Sequence, residues 1–296
     1  MMFNTVCIVG IGLLGGSLAR DLKQHSLANE VVGVCRSPET ANRALELGIL
    51  DRVCELHEAV SGADLIVMAT PMQAMLPLLE KVHSFIPPST ILTDVGSVKT
   101  DLYQALNTKL PQLLNQFVLA HPIAGGEASG VDASRLALFE NKHVVVTETP
   151  EVDPSKISGV IELWQAVGAR VKRMSLEQHD AIFAKTSHLP HVIAFSLVNY
   201  LSSQDDRQQL FDLAAAGFYD FTRIASSNAE MWRDICITNE DQIVHALNGF
   251  ASQISTIRDL IESGDQAAIL EYFGEAKHAR DQGLLSKAES MQAKTD

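Results

Sequence analysis

The sequence has few cysteines and an excess of acidic over basic residues. Its 296 residues include four cysteines that lie far apart and form no C-x-x-C pair: Cys7, Cys35, Cys54 and Cys236. This argues against a disulfide scaffold or a zinc ribbon and fits a reducing compartment. Lysine and arginine total 23 against 36 acidic residues, for a net charge of −13. That balance argues against nucleic acid or an anionic membrane as the main partner, although an anionic small molecule can still bind where cations gather.

Leader segments, repeats and low-complexity tracts are also lacking. The first residues, MMFNTVCIVGIG, have neither the basic region nor the cleavage site of a signal peptide. We expect no membrane-spanning helix, and no apolar run that approaches about 18 residues without a charge. We therefore expect a cytoplasmic protein. A chain of this length, 46% hydrophobic, is enough for two globular domains.

Short β-branched runs alternate with helical stretches in the first half of the chain. The runs are NTVCIVG, EVVGV, DLIVMAT, TILTDVGS, FVLAHP and HVVVTET. Such alternation is typical of βαβ units and predicts an α/β domain over 1–173 with a Rossmann-type, doubly wound parallel sheet. One helix is predicted to begin at Pro38, after Ser37 as its N-cap, and to stop at Gly48.

After the last strand-like run, ARVKRMS, only helical periodicity remains. Ser175 and Gln178 predict a capping box. Helices are expected over 176–203, 208–224, 228–263 and 265–285, so that 174–296 forms an all-α domain. Its helices carry more apolar surface than a small core needs, for example at Ile243 and Leu247. This excess predicts a homodimer in which a second copy of the chain covers part of that surface.

The segment VCIVGIGLLGGSLARDL contains a G-x-G-x-x-G turn between a strand and a helix. Gly10 would make the tight turn, Gly12 would let the backbone approach a pyrophosphate, and Gly15 would let the helix pack on the strand. The backbone of Leu13 and Leu14 would begin the helix whose N–H groups face the phosphates. The pattern predicts a bound dinucleotide.

The end of the second strand bears on the choice between NAD⁺ and NADP⁺. An acid there would accept the ribose 2′-hydroxyl and repel a 2′-phosphate, but the chain has Cys35. Arg36 offers a planar fork for a phosphate and Ser37 adds a hydroxyl, so NADP⁺ is favoured over NAD⁺. Arg36 could instead be an ordinary loop arginine. Glu39 is explained by the dipole of the helix that it begins.

Four further clusters occupy predicted strand ends and helix starts. They are TDVGSVKTDL, AHPIAGGEASG, KTSHLPHVIAF and GFYDFTRIASS. Together with the glycine turn and in this order, they resemble the motifs of the prephenate dehydrogenase family, which includes arogenate and cyclohexadienyl dehydrogenases of tyrosine biosynthesis. The resemblance runs from about residue 6 to about residue 260. It implies a nucleotide domain followed by a helical dimerisation domain, without the chorismate mutase or ACT-type extensions that some members carry.

The resemblance also implies a reaction, the oxidative decarboxylation of prephenate to 4-hydroxyphenylpyruvate with NAD(P)⁺. Hydride would leave C4 of the ring, the ring carboxylate would leave as CO₂, and the ring would become aromatic. No metal is needed. The residues implied are the catalytic base His121 and its orienting Ser97, which also contacts the nicotinamide; Arg223, His188, His191, Glu127 and Gly126 for substrate; and Thr70 and Pro71 beside the cofactor. Many members have a hydroxyl residue where this chain has Gly126.

Several alternatives remain at this stage. The substrate could be arogenate, which carries an ammonium group where prephenate has a keto group, or the enzyme could accept both. A β-hydroxyacid dehydrogenase shares the two-domain plan but usually needs a helical-domain lysine; Lys185 is present in a different motif. A pyridine-nucleotide sensor would need no catalytic set. His188 and His191 could ligate a metal, and Arg223 could form a structural ion pair with Asp220.

Overall fold

A computed structural model describes residues 2–126 and 128–292, with side chains as far as residue 285. It divides into two compact units, Met1–Ile243 and Val244–Asp296. The division at residue 173 that the sequence suggests stays a prediction. Glu127 lies outside the described residues.

The first unit is built on a parallel sheet in the order β3-β2-β1-β4-β5-β6. This confirms the predicted doubly wound sheet. Both faces are covered by apolar side chains, which is why its strands read as nearly continuous β-branched runs. The strands are β1 Phe3–Val9, β2 Ala28–Val34, β3 Arg52–Val53, β4 Leu65–Met68, β5 Ile91–Asp94 and β6 Phe117–Val118, and the helices are α1 Leu13–Gln24, α2 Pro38–Glu46, α3 Leu56–Ser61, α4 Met72–Val82, α5 Thr100–Lys109 and α6 Pro154–Ala166.

A second, three-stranded sheet follows the first. It contains β7 Ala120–Pro122, β8 His143–Thr147 and β9 Arg170–Met174. β7 is antiparallel to β8, which is parallel to β9. The run FVLAHP, predicted as one strand, is therefore split between two sheets, because the backbone of Leu119 leaves the register of β6 and its carbonyl accepts from Thr147 N at 3.0 Å.

The rest of the described chain is helical, as predicted. The helices are α7 Leu176–Phe183, α8 Leu189–Ser202, α9 Arg207–Asp212, α10 Ala216–Thr222, α11 Ala229–Thr238, α12 Glu240–Ser263 and α13 Gln266–Gln292. Two of the predicted helices, over 208–224 and 228–263, are each broken in two, whereas α7 continues into α8 through the π-helical turn Ala184–His188. The break between α11 and α12 falls at Asn239, whose buried side chain hydrogen-bonds to other elements. The predicted capping box of Ser175 and Gln178 is present at the start of α7.

One helical run differs from what the sequence led us to expect. The run Leu176–Ser202 is long and apolar enough, by length and composition alone, to cross a bilayer. No Asp, Glu, Lys or Arg occurs between Lys185 and Asp205, so the prediction that no such run exists was wrong. Core helices of soluble proteins pass the same test, so the finding is weak evidence for a span.

Candidate active site

A cavity of about 830 Å³ lies within the first unit, at the carboxyl ends of β1, β5 and β7. This is the edge at which doubly wound folds bind their ligands. The cavity brings together nine of the residues singled out from the sequence: Gly12, Leu13, Leu14, Ser97, His121, Gly126, His188, His191 and Arg223.

The glycine turn after β1 is closely packed at two of its three glycines. Gly10 has φ +100°, and a Cβ there would lie 2.6 Å from the carbonyl oxygen of Ala69. A Cβ on Gly15 would lie 2.2 Å from the carbonyl oxygen of Gly10. A Cβ on Gly12 would meet nothing within 4 Å, and no described side chain caps α1. The turn therefore leaves open backbone and unpaired N–H groups on the cavity, which fits a dinucleotide pyrophosphate.

This difference predicts opposite failures for two alanine variants. Gly12→Ala should fold with wild-type thermal stability and lose about tenfold or more in NAD(P)⁺ affinity, because its methyl would occupy space meant for the pyrophosphate. Gly15→Ala should lower the stability by about 1–3 kcal/mol through overpacking against Gly10. Thermal unfolding and cofactor titration distinguish the two. Equal cofactor affinity in Gly12→Ala and wild type would contradict this role of the turn.

A buried ion pair fixes β7 against the end of β5. Lys99 Nζ contacts the carboxylate of Asp94 and donates to the carbonyl of Ala120 at 2.8 Å. The same carboxylate accepts from Ala120 N at 3.0 Å and from Gly96 N at 2.8 Å. Burial lowers the pKa of Lys99 and the adjacent Asp94 opposes that shift. Asp94 and Lys99 thus hydrogen-bond to the N–H and the carbonyl of Ala120, the residue before His121. These two buried bonds fix the position of His121.

His121 begins a chain of hydrogen bonds that leads away from the cavity. Its Nδ1 lies 2.8 Å from His179 Nε2, and His179 Nδ1 lies 2.7 Å from Asp180 Oδ1. Phe183 packs edge-on against the His121 ring at 4.9 Å between centroids. Burial lowers the pKa of His121 well below its usual value, and His179, Lys99 and His188 add to the effect. At neutral pH His121 is therefore an uncharged imidazole that can accept a proton.

His188 ends the turn that joins α7 to α8, and His191 lies in the first turn of α8; both line the cavity. Ala184–His188 forms a π-helical turn, a distortion that is frequent at functional sites. The Asn239 amide donates to His188 Nδ1 at 3.1 Å, so the His188 proton sits on Nε2, which is buried without a partner among the described residues. Burial lowers the pKa of His188 to about 4. The cavity thus contains a neutral histidine that can only donate.

His191 has the other tautomer. Its Nδ1 donates to the carbonyl of Ser187 at 2.9 Å, and its ring stacks on Trp232 at 3.8 Å between centroids. The remaining nitrogen, Nε2, carries a lone pair. No group of three His, Cys, Asp or Glu side chains suited to a metal ion occurs in the part of the chain that the structure describes.

Arg223 follows α10 and also lines the cavity. It begins a short 3₁₀ turn, Arg223–Ser226. Among the described lining residues it is the one Lys or Arg side chain, beside histidines that are neutral, and its planar fork suits a carboxylate.

Comparisons with known proteins agree with this arrangement. The family described as "Prephenate dehydrogenase, nucleotide-binding domain" matches residues 18–173, and "Prephenate dehydrogenase, dimerization domain" matches residues 175–275. The chain belongs to the prephenate dehydrogenase family. The fold and this membership identify it as an NAD(P)-dependent oxidoreductase.

Individual members of the family are similar over almost the whole chain. The prephenate dehydrogenase of Bacillus subtilis is 36% identical over 95% of this chain and 76% of its own length. The cyclohexadienyl dehydrogenase of Zymomonas mobilis is 33% identical over 94% of this chain and 96% of its own. A crystal structure of Aquifex aeolicus prephenate dehydrogenase with hydroxyphenyl propionate and NAD⁺ superposes with a TM-score of 0.89, at 34% identity over 95% of this chain and 99% of that one.

Within this prephenate dehydrogenase fold, some residues predicted to bind ligands lie outside the cavity lining. Gly10 and Gly15 are packed against backbone atoms within the turn. The others are Arg36, Ser37, Thr70 and Pro71. The Ser37 hydroxyl accepts from Thr40 N at 3.3 Å and so caps α2, as predicted. The backbone N–H of Glu39 and the Ser37 hydroxyl lower the pKa of the Glu39 carboxyl, which fits a role at the start of the helix. The ligand roles of these residues stay predictions.

Ser97 lies on the cavity wall, but no hydrogen bond joins it to His121 among the described residues. The hydrogen-bond partner that the structure shows for His121 Nδ1 is His179. Ser97 as a cofactor or catalytic contact stays a prediction.

The sequence analysis missed the residues behind the first layer of the cavity. These are His179, Asp180 and Asn239. The analysis also missed Trp232, which lines the cavity itself, and all four are at most 7% exposed. His179 and Asp180 belong to an ordinary helix start, SLEQHD, where no sequence feature indicates contact with a distant strand. Their burial, which is unusual for a His-Asp pair in a first helical turn, is visible only in the structure.

Proposed function

We propose that the chain oxidises and decarboxylates prephenate to 4-hydroxyphenylpyruvate with NAD(P)⁺. The observation that carries this proposal is that one cavity is lined by His121, by Arg223 and by the open glycine turn. His121 is neutral, and its Nδ1 is hydrogen-bonded to His179. A β-hydroxyacid dehydrogenase would need a lysine at the reacting centre. The buried Lys99 is engaged by Asp94 and Ala120 behind His121, and Lys185 does not line the cavity. A non-catalytic sensor would not need a buried base.

In this proposal each residue does one task. His121 Nε2 accepts the proton of the C4 hydroxyl, while Arg223 binds a substrate carboxylate. His188 Nε2–H can donate to a substrate oxygen, and the stacked His191 limits the space available to the side chain. When bound at the glycine turn, NAD(P)⁺ supplies the hydride acceptor. Loss of the ring carboxylate as CO₂ completes the aromatic ring, so no residue has to act as a Lewis acid.

The substrate is tested by initial rates with prephenate or arogenate, each paired with NAD⁺ or NADP⁺. We expect prephenate to have the higher kcat/KM, because the Bacillus subtilis relative, 36% identical over 95% of this chain, is a prephenate dehydrogenase. Arogenate used better than prephenate would move the chain to the arogenate branch of the family. No turnover of either substrate would refute the proposal.

We further propose that NADP⁺ is used at least as well as NAD⁺. Arg36 is exposed at the end of β2, next to the neutral Cys35. Arg36→Ala should reduce kcat/KM for NADP⁺ by about tenfold, the value of a hydrogen bond to a charged group, and leave NAD⁺ unchanged. Cys35→Asp should shift the ratio toward NAD⁺. Arg52→Ala is the control, because Arg52 already pairs with Glu30 and Glu58. A strong wild-type preference for NAD⁺ that neither Arg36→Ala nor Cys35→Asp alters would contradict the proposal.

We also propose a homodimer formed through the helical region, inside the cytoplasm. Large apolar side chains in α13 are exposed, including Leu270 at 74% and Phe273 at 55%. Sedimentation at micromolar concentration should give the mass of two 32.2 kDa chains. The double variant Leu270→Glu/Phe273→Glu should dissociate, whereas Leu45→Glu on α2, also exposed, should not. A monomeric wild-type chain would contradict the dimer.

A further inference from the structure

Asp180 is held as an ionised acceptor inside the protein. It is 2% exposed and lies on α7. Its Oδ1 accepts from Lys99 N at 3.0 Å and its Oδ2 from Thr100 N at 2.8 Å. Burial opposes ionisation, but these bonds and the one from His179 leave the pKa of Asp180 lowered. A carboxylate with two backbone donors can only accept from its third partner.

The direction of the remaining hydrogen bonds follows from that anchor. Because Asp180 Oδ1 accepts, His179 Nδ1 must carry the proton at their 2.7 Å contact. His179 is neutral, since burial lowers its pKa more than Asp180 raises it. Its Nε2 is therefore a lone pair, and it accepts from His121 Nδ1–H at 2.8 Å. His121 is left with its lone pair on Nε2.

We propose that His179 and Asp180 are positioning residues that fix His121 in the Nδ1–H tautomer, with Nε2 ready to accept the substrate proton. This inference rests on the proposed function. The proton of the substrate hydroxyl moves to His121 Nε2, and no proton has to move farther along the chain. The imidazolium that results still donates from Nδ1 to His179, so the hydrogen bond persists and strengthens as charge develops.

The surroundings of the two rings hold this arrangement in place. Phe183 packs against both, at 4.9 Å from the His121 centroid and 4.6 Å from the His179 centroid. The charged and titratable groups around the rings are Lys99, Asp94, Asp180 and His188. The Lys99 ammonium is paired with Asp94 rather than with either ring. A relay bonded at both ends and packed by one aromatic ring leaves His121 little freedom to rotate.

The test compares two replacements of His179 that differ in a single property. The Gln oxygen in His179→Gln can accept from His121 Nδ1–H, whereas Met in His179→Met has similar reach and no strong acceptor. With prephenate, His179→Met should lower kcat by roughly 10- to 100-fold, the loss of a hydrogen bond to a group that becomes charged. His179→Gln should stay within about fivefold of wild type. KM should change little in both. His245→Met, at an exposed histidine, is the matched control.

A spectroscopic measurement tests the same claim without turnover. In ¹⁵N-histidine-labelled protein, long-range ¹H–¹⁵N correlations report which ring nitrogen carries the proton, and the His121 signals are assigned by their loss in His121→Asn. Wild type should show His121 protonated on Nδ1, and His179→Met should show a mixture or the other tautomer. Wild-type His121 protonated on Nε2 would overturn the inference even if the His179 variants fail to fold.

The kinetic outcomes separate the two proposals. Equal kcat in His179→Met and wild type, with prephenate oxidised normally, would overturn the inference and leave the function intact. Absence of prephenate oxidation by wild type would refute the function, while the tautomer measurement would still decide whether the relay holds His121.

Discussion

His121→Asn is expected to lower kcat by about 10²–10⁴-fold, the usual loss when a general base is removed. The asparagine amide can still donate to His179 Nε2, so the relay behind the base keeps its partner. What disappears is the second ring nitrogen, the only one not engaged by His179. The variant should therefore fold normally and bind NAD(P)⁺ with wild-type affinity.

Steady-state rates and cofactor titration test this expectation together. Near-normal turnover by His121→Asn would show that another group accepts the proton. Loss of cofactor binding along with turnover would show that the substitution damaged the cavity rather than the base.

The burial of His121 also sets the expected pH dependence. Its lowered pKa means that the neutral base persists below the usual histidine pKa of about 6.5. As the pH is lowered, kcat should therefore decline only at pH values below about 6.5. An acid limb centred above pH 6.5 would contradict a base held in this environment.

Arg223→Ala is expected to raise KM for prephenate with little effect on cofactor affinity. Truncating a charge-assisted contact to a desolvated carboxylate costs roughly 2–5 kcal/mol, which corresponds to about thirtyfold or more in binding. Arg223 lines the cavity from the helical part of the chain, whereas the glycine turn belongs to the nucleotide-binding sheet. The effect should therefore appear with substrate and not with NAD(P)⁺.

Arg233→Ala is the matched control for that variant. Arg233 lies on α11, pairs with Asp234 and does not line the cavity. Its replacement should leave KM within about twofold of wild type, as for most surface changes. Weaker cofactor binding in Arg223→Ala, with an intact KM for prephenate, would place this arginine on the nucleotide instead.

Helix starts and turns could be predicted from short sequence patterns. The N-cap of Ser37 and the capping box at Ser175 depend on residues three apart, and both are present. The sharp turn at Gly10 and the stop at Gly48, with φ of +100° and +65°, likewise follow from local conformation. These features need no knowledge of the tertiary structure.

The parts that could not be predicted depend on partners distant in sequence. His121 and His179 are 58 residues apart. Lys99 and Asp94 hold β7 at the end of β5, and Asp180 holds α7 to the backbone that follows β5, so the two rings meet. Likewise, the split of FVLAHP depends on which strand each backbone group meets, and a hydrophobic run does not encode that choice. The choice of His121 itself came from family motifs, since a single histidine after a strand is not specific.

The central claim is tested most directly by the products that purified wild-type protein forms from prephenate and NADP⁺. Reduced cofactor, CO₂ and 4-hydroxyphenylpyruvate should appear in equal amounts. Cofactor that binds without being reduced in the presence of prephenate, or that is reduced with a β-hydroxyacid instead, would contradict the account.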